Sequence, residues 1–379
     1  MSFADSPSTR LATRLSFLVA GFGLASWGPL VPFAKARLAV DEGTLGLLLI
    51  CLGIGSIVAM QATGVLHARM GSRPIILAAG FGLVVTLPLL AIAPTPATLG
   101  ASLLLFGGAL GSLDVAMNIH AVEVERAASR PLMSGFHALF SIGGFVGSAA
   151  MTLLLSLKVA PLYGALMASV IMTMAISMAW PRLLRTKRAD GEARFVLPRG
   201  IVLVLAGLAA ATFLTEGAVL NWSAILITNA KLVPVEQGGL GYMLFAIAMT
   251  VGRLTGDTLT ARIGDRFSLL WGGCVAVLGF VLLLTSPVAA VALAGFILIG
   301  LGAANIVPVL FRRAGSQTVM VPSLAIAAMT TTGYAGVLMG PAAIGFIAKD
   351  LGLSTAFWML AALLCLVPLL SGIVAPRRQ

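Results

Sequence analysis

The feature that most constrains this chain is a succession of apolar runs, each about 20 residues long, the length a helix needs to cross a bilayer. The runs lie near 15–36, 44–66, 74–93, 97–119, 132–156 and 160–180, and resume near 201–228, 238–260, 268–286, 288–311, 323–348 and 354–374. They are continuously apolar and do not alternate, so they do not read as strands; a lipid-exposed segment must also satisfy its own backbone hydrogen bonds, as a helix does. Only 10% of the 379 residues are charged and 59% are hydrophobic, against roughly a quarter charged in soluble domains. A soluble fold is excluded, and twelve spans leave no room for a separate soluble domain. The first run, after Arg10 and Arg14, imitates a signal peptide, but it is longer than a usual signal core and many similar runs follow, so it reads as a retained span.

The formal charge of +11 would suggest a nucleic-acid partner in a soluble chain. Here its placement reports topology. With the N-terminus assigned to the cytoplasm, the cytoplasmic segments hold Arg10, Arg14, Arg69, Arg73, Arg126, Arg130, six cations from Arg182 to Arg199, Arg262, Arg266, Arg312, Arg313, Arg377 and Arg378, which is 18 of the 24 cations. The other face holds Lys35, Arg37, Lys158, Lys231 and Lys349, and Arg253 stays within a span. The positive-inside rule therefore expects both termini in the cytoplasm and an even number of spans, with the bilayer as partner and no nucleic acid. Cys51, Cys274 and Cys365 lie in apolar runs without C-x-x-C spacing, so neither a disulfide framework nor a metal site is expected, and no cofactor.

The polar stretch from Arg182 to Arg199 divides the chain into an N-terminal six-helix bundle (1–181), a cytoplasmic linker (182–199) and a C-terminal six-helix bundle (200–379). The halves repeat one another. Leu66, Ala68, Arg69, Gly71 and Arg73 recur 193 residues later as Leu259, Ala261, Arg262, Gly264 and Arg266, and Gly143 and Gly147 map onto Gly336 and Gly340 at the same offset. Two parallel repeats of six helices are the sequence sign of a carrier whose halves rock about a site between them.

The motif Gly64-Val-Leu-His-Ala-Arg-Met-Gly-Ser-Arg73 resembles the loop signature of the major facilitator superfamily, G-x-L-x-D-R-x-G-x-R, with Ala68 where the Asp usually stands and Ala261 at the same place in the second half. Asp114-Val-Ala-Met-Asn118, Ser134-Gly-Phe-His137 and Gly143-Gly-Phe-Val-Gly147 are similar to the fucose-permease-type branch, and Glu216-Gly-Ala-Val-Leu-Asn-Trp-Ser223 resembles uncharacterised inner-membrane carriers related to it. Ser148 stands where that branch often has Pro, and the first span lacks the acid that its sugar symporters use. The resemblance implies an all-α membrane protein with 12 transmembrane helices in two pseudo-symmetric bundles, a multi-pass monomer of the bacterial inner membrane and a transporter, not an enzyme.

Ionisable groups inside spans cost several kcal/mol at the bilayer centre, which makes them functional candidates by default. Asp114 shares a helical stripe with Gly107, Gly111 and Asn118, a small and polar face suited to protein or water, and is expected to be a protonatable group. Glu216, with Asn221 and Trp222 beyond it, combines an acid, an amide and an indole, a set suited to a polar organic solute. His137 begins a stripe with Ser141, Gly144 and Ser148 and either relays protons with Asp114 or packs against a neighbouring helix. Trp27, Asn305 and Tyr334 are further cavity candidates, Asn305 being the approximate repeat counterpart of Asp114. Arg253 and Asp257, at i and i+4, can meet on one helix face. With Gly64, Arg69, Gly71, Arg73, Arg262, Gly264 and Arg266 they form the expected cytoplasmic gate. Glycine pairs inside spans read as close helix packing, and no G-x-x-x-x-G-K-[ST] phosphate loop is present.

The expected function is secondary active transport of a small polar or amphipathic solute by alternating access, coupled to protons, with symport favoured over a proton-driven efflux antiporter. A membrane-embedded transferase would need a convergent nucleophile, base or metal cluster, and the nearest grouping is His120 with Glu123 and Glu125. A membrane sensor that keeps the fold without transporting is the remaining class.

Overall fold

The computed structural model of the chain describes residues 6–40, 42–185, 197–234 and 240–375. The cationic centre of the linker and Arg377 and Arg378 lie outside them. Among the described residues the regular structure is helical, with no strand, and nine helical stretches are long and apolar enough to cross a membrane. The helices are α1 (Pro7–Trp27), α2 (Val31–Leu38), α3 (Glu42–Met70), α4 (Ser72–Ile92), α5 (Pro96–Ala128), α6 (Met133–Ser156), α7 (Pro161–Ala179), α8 (Ile201–Asn229), α9 (Leu240–Thr285), α10 (Ala289–Ala303), α11 (Ile306–Ser316), α12 (Pro322–Leu351), α13 (Leu353–Leu364) and α14 (Leu366–Val374).

Local chemistry sets the boundaries. Ser6 caps α1 by accepting the Thr9 amide at 3.1 Å, and Thr95 and Thr98 form a reciprocal capping box at the start of α5, ahead of a proline in its first turn. Several expected spans are not single helices. The first is α1 and α2 separated by a short 3-10 turn over Gly28–Leu30, and the eighth and ninth run together in α9, which is broken by Gly264 at φ 80°. The tenth is α10 and α11, interrupted at Ala304 and Asn305.

The chain divides into two compact units. One comprises residues 1–129, 136–197 and 321–328, the other 130–135, 198–320 and 329–379. Inside each, equivalent glycines bring equivalent helices together. In the first unit a Cβ on Gly107 would fall on the Leu52 carbonyl, where α5 crosses α3; in the second a Cβ on Gly300 would fall on the Phe245 carbonyl, where α10 crosses α9. Both residues of the second crossing lie 193 positions after those of the first. Gly143 against Leu18 and Gly336 against Ala210 repeat the same device. Left-handed backbone recurs in step as well, at Ala39 and Lys231, at Gly71 and Gly264, and at Lys158 and Gly352.

Polar side chains lock the first unit at two points. Arg37 spreads its guanidinium over the C-terminal carbonyls of α4, donating to Ala93 at 3.0 Å, to Leu90 at 2.9 Å and to Ala91, so a cation satisfies acceptors that the helix end leaves open. His120, fully buried, accepts the Leu184 amide at Nε2 (3.0 Å) and lies 3.1 Å from Thr13 Oγ1 through Nδ1. An N–H donor at Nε2 places the ring proton on Nδ1, so His120 is a neutral ring joining α1, α5 and the segment after α7. In the second unit Asp265 pairs with both Arg312 and Arg313, and Arg313 Nε caps the last turn of α14 at the Val374 carbonyl (2.9 Å).

Candidate functional site

In the first unit Asp114 is buried on α5, one turn beyond the glycines that seat against α3. Asn118, one turn later and wholly buried, donates from Nδ2 to the Asp114 carbonyl at 2.9 Å and approaches its carboxylate Oδ1 at 3.4 Å. Among the described residues the buried Asn118 Oδ1 has no hydrogen-bond partner. Among the described residues Asp114 makes no ion pair, and the neutral amide of Asn118 on its own helix is its hydrogen-bonding neighbour. His137 lies edge-on to Phe17, ring centroids 5.1 Å apart, and Phe136 stacks on the same Phe17 at 5.9 Å. Trp27, at the end of α1, is buried with its indole N–H lacking a partner. On α3 and α5, His67 and Glu123 approach to 3.8 Å, a pair that residue spacing alone does not announce.

In the second unit Arg253, only 6% exposed, turns toward α8 and meets Glu216, with Nη2 3.4 Å from Oε1. Its Nε faces the carbonyl of Ala304 at 3.4 Å, at the interruption between α10 and α11. Asn305, at that interruption, donates from Nδ2 to the Gly252 carbonyl at 3.1 Å, and its Oδ1 occupies the place that a Cβ on Gly256 would take. Asn305 is thereby a pin that seats the interrupted span on α9. The Tyr242 phenol is within electrostatic reach of both Glu216 and Arg253. Tyr334 stands edge-on to Phe213 at 6.2 Å. Asn221 is exposed, and its amide bonds its own helix at the Gly217 carbonyl (2.7 Å). Among the described residues the buried Trp222 indole N–H and Ser223 hydroxyl have no hydrogen-bond partner.

The residues expected to form a gate separate into distinct roles. The Asp257 carboxylate accepts the amides of Ser134 (2.9 Å) and Gly135 (2.7 Å) at the first turn of α6, where an anion meets the positive end of the helix. Gly64, its repeat counterpart, abuts the start of α12: a Cβ there would stand 2.7 Å from the Ala327 Cβ and 3.6 Å from the Ser323 carbonyl. Gly71 and Gly264 turn the chain, Arg69 and Arg262 are exposed, Arg73 is half-buried, and the Arg266 guanidinium lies over Gly372 of α14. Asp265, Arg37 and Tyr242 carry no site expectation from the sequence, where Arg37 enters as an outer-face cation. Asp265 carries a signal in retrospect, standing inside the repeated motif with the Arg312-Arg313 doublet to match. Among the described residues no group of three or more His, Cys, Asp or Glu side chains is placed to hold a metal.

Known proteins bear on this arrangement. The family model described as Major Facilitator Superfamily matches residues 15–318. An uncharacterized MFS-type transporter of Yersinia pestis is 48% identical over 364 residues, covering 95% of this chain and 94% of its own. The membrane protein MosC of Rhizobium meliloti is 31% identical over 359 residues, covering 93% and 87%. Among solved structures, the fucose:proton symporter of E. coli superposes with a TM-score of 0.77 at 15% identity, covering 97% of this chain and 98% of that one, which speaks to fold. The apolar helices, the glycine crossings repeated in both units and these matches agree, and the chain belongs to the Major Facilitator Superfamily of transporters.

Proposed function

We propose that this transporter works by secondary active transport, moving a small polar or amphipathic solute together with protons across the bacterial inner membrane, as a monomer with both termini in the cytoplasm. The observation that carries the coupling is Asp114: a buried carboxyl on a membrane helix, next to Asn118 and in no ion pair among the described residues. An acid in such surroundings is costly as a lone charge and can be neutralised by taking up a proton. Glu216, held by Arg253 and partly open, is the second acid of the cycle. The Asp257 contact with α6 and the Gly64 contact with α12 act as the gate, made in one state and broken in the other.

Purified protein in proteoliposomes, loaded with a pH-sensitive dye and challenged with a panel of sugars, organic acids and amino acids, tests this reading. Inward solute movement accompanied by internal acidification is expected, and both should fall at least tenfold in Asp114→Asn with the fold retained. Proton movement that persists unchanged in Asp114→Asn and Glu216→Gln would remove the assignment, and solute-driven alkalinisation of the opposite sense would indicate antiport.

A further inference from the structure

The Glu216–Arg253 pair has features that separate it from a static interhelical tie. A guanidinium inside a membrane span needs an anion, and it is built to receive a carboxylate in a two-pronged fork with N–O distances of about 2.7–2.9 Å. The Glu216 contact from Nη2 to Oε1, at 3.4 Å, is longer than that optimum. The two partners are also unequally covered, with side-chain exposure of 7% for Arg253 and 22% for Glu216. The acid stands at the open side of the pair and the cation behind it.

Arg253 is held independently of Glu216. Its Nε faces the Ala304 carbonyl at the C-terminal end of α10, where the helix dipole favours a cation, and Asn305 pins that interruption to Gly252. Removal of the Glu216 carboxylate would therefore leave the guanidinium in position. Among the described residues the charged or titratable groups facing Glu216 are Arg253 and the Tyr242 phenol, both from α9. Of the other helices packed on α8, α13 and α14 contain no ionisable side chain, Arg312 and Arg313 of α11 are bound to Asp265, and α12 brings the neutral Tyr334 ring to Phe213.

We infer that Arg253 is the anchor for a small organic monocarboxylate, and that Glu216 is the internal carboxylate which occupies this anchor in the absence of solute and leaves it when the solute arrives. The inference rests on the proposed secondary transport and names its substrate class. The balance is simple: one carboxylate anion enters, Glu216 is displaced and takes one proton from water, and the net charge of the junction is unchanged. Uncharged solutes of the same shape gain nothing from the exchange.

Two matched pairs of probes test it, D-gluconate against D-glucose and benzoate against benzamide, with binding to detergent-purified protein followed by calorimetry and by an indicator dye in weak buffer. At least one carboxylate is expected to bind ten or more times tighter than its uncharged partner, with about one proton taken up per anion. Glu216→Gln should bind that anion as well or better without proton uptake, and Arg253→Lys at least tenfold more weakly. The double variant Glu216→Gln/Arg253→Gln keeps the buried site uncharged and should fold, by thermal unfolding, yet bind no carboxylate. Equal binding of the uncharged partner, anion binding without proton uptake, anion binding that survives in the double variant, or no binding of either carboxylate to wild type and Glu216→Gln would each overturn it. If proteoliposomes accumulate glucose or benzamide with protons, the transport reading stands and this inference falls. If neither pair nor the wider solute panel drives proton movement, the transport reading fails first.

Discussion

Gly71 and Gly264 stand 193 residues apart and hold nearly the same backbone, φ 78° and ψ 176° at the first, φ 80° and ψ 165° at the second. This corner of conformational space is essentially closed to residues with a side chain, at a cost of about 1–3 kcal/mol. At Gly264 a Cβ would meet nothing within 4 Å, so the cost of Gly264→Ala is backbone strain alone. Thermal unfolding in detergent should show both Gly71→Ala and Gly264→Ala destabilised by that amount. An unchanged midpoint for Gly264→Ala would mean that the turn relaxes without the glycine.

Gly64→Ala should fail for a different reason. Its new methyl would stand 2.7 Å from the Ala327 Cβ, inside van der Waals contact, and overpacking of this kind costs about 1–3 kcal/mol. The double variant Gly64→Ala/Ala327→Gly transfers the methyl from one side of the contact to the other and should recover most of the loss. Stability and transport rate measured on the three variants form a complete cycle, and additive losses would show that the two positions do not touch.

Asp257→Ala leaves the Ser134 and Gly135 amides without their carboxylate, a loss of about 1–3 kcal/mol for charge-assisted bonds. Hydrogen exchange should quicken at the start of α6, in a peptide containing residues 133–137, while a peptide from the middle of α5 is unaffected. Protection that does not change would remove Asp257 from the gate.

His120→Ala should lower stability by about 1–3 kcal/mol, because the Leu184 amide and the Thr13 hydroxyl both lose a buried partner. The ring cannot accept from Leu184 and carry a second proton at once. Nitrogen-15 spectra of labelled protein should therefore show the Nδ1–H tautomer, and the pH profile of transport should be the same in His120→Gln and wild type. A profile displaced by that substitution would give His120 a part in proton movement.

Arg37→Ala uncovers the carbonyls at the end of α4 and should unfold earlier than wild type, with Arg37→Lys recovering only part of the loss because an ammonium cannot span three acceptors in the same geometry. A full recovery by lysine would assign the stabilisation to charge at the helix end and not to the hydrogen bonds.

How far the sequence could be read follows from what kind of contact each residue makes. Apolar runs and the 193-residue offset announce the helices and the repeat, because span length and glycine crossings are imposed by the bilayer and by backbone approach, which leave periodic marks. Asp114 with Asn118, and the acid at Glu216, stand out in the sequence for a similar reason: charge inside an apolar run is conspicuous. Partner choice was not legible. The i, i+4 spacing of Arg253 and Asp257 says that they share a face; it does not announce that the long arginine reaches Glu216 on another helix or that Asp257 receives backbone amides, donors that every residue possesses and no sequence pattern marks. Asn305, a cavity candidate by sequence, has both ends of its side chain against α9, a contact that its spacing does not announce. The break beside Asn305 is itself marked in sequence: Pro308 has no N–H to give the Ala304 carbonyl four residues earlier, as the Gly28-Pro29 step marks the break between α1 and α2.

The unit that contains Gly64 also contains residues 321–328, so its packing closes only when a segment near the end of the chain has been made. Elongation at about 5–20 residues per second separates residue 129 from residue 328 by roughly 10–40 seconds. For that interval the first half is without the segment that abuts Gly64, and its unit is complete only after much of the second half has been made.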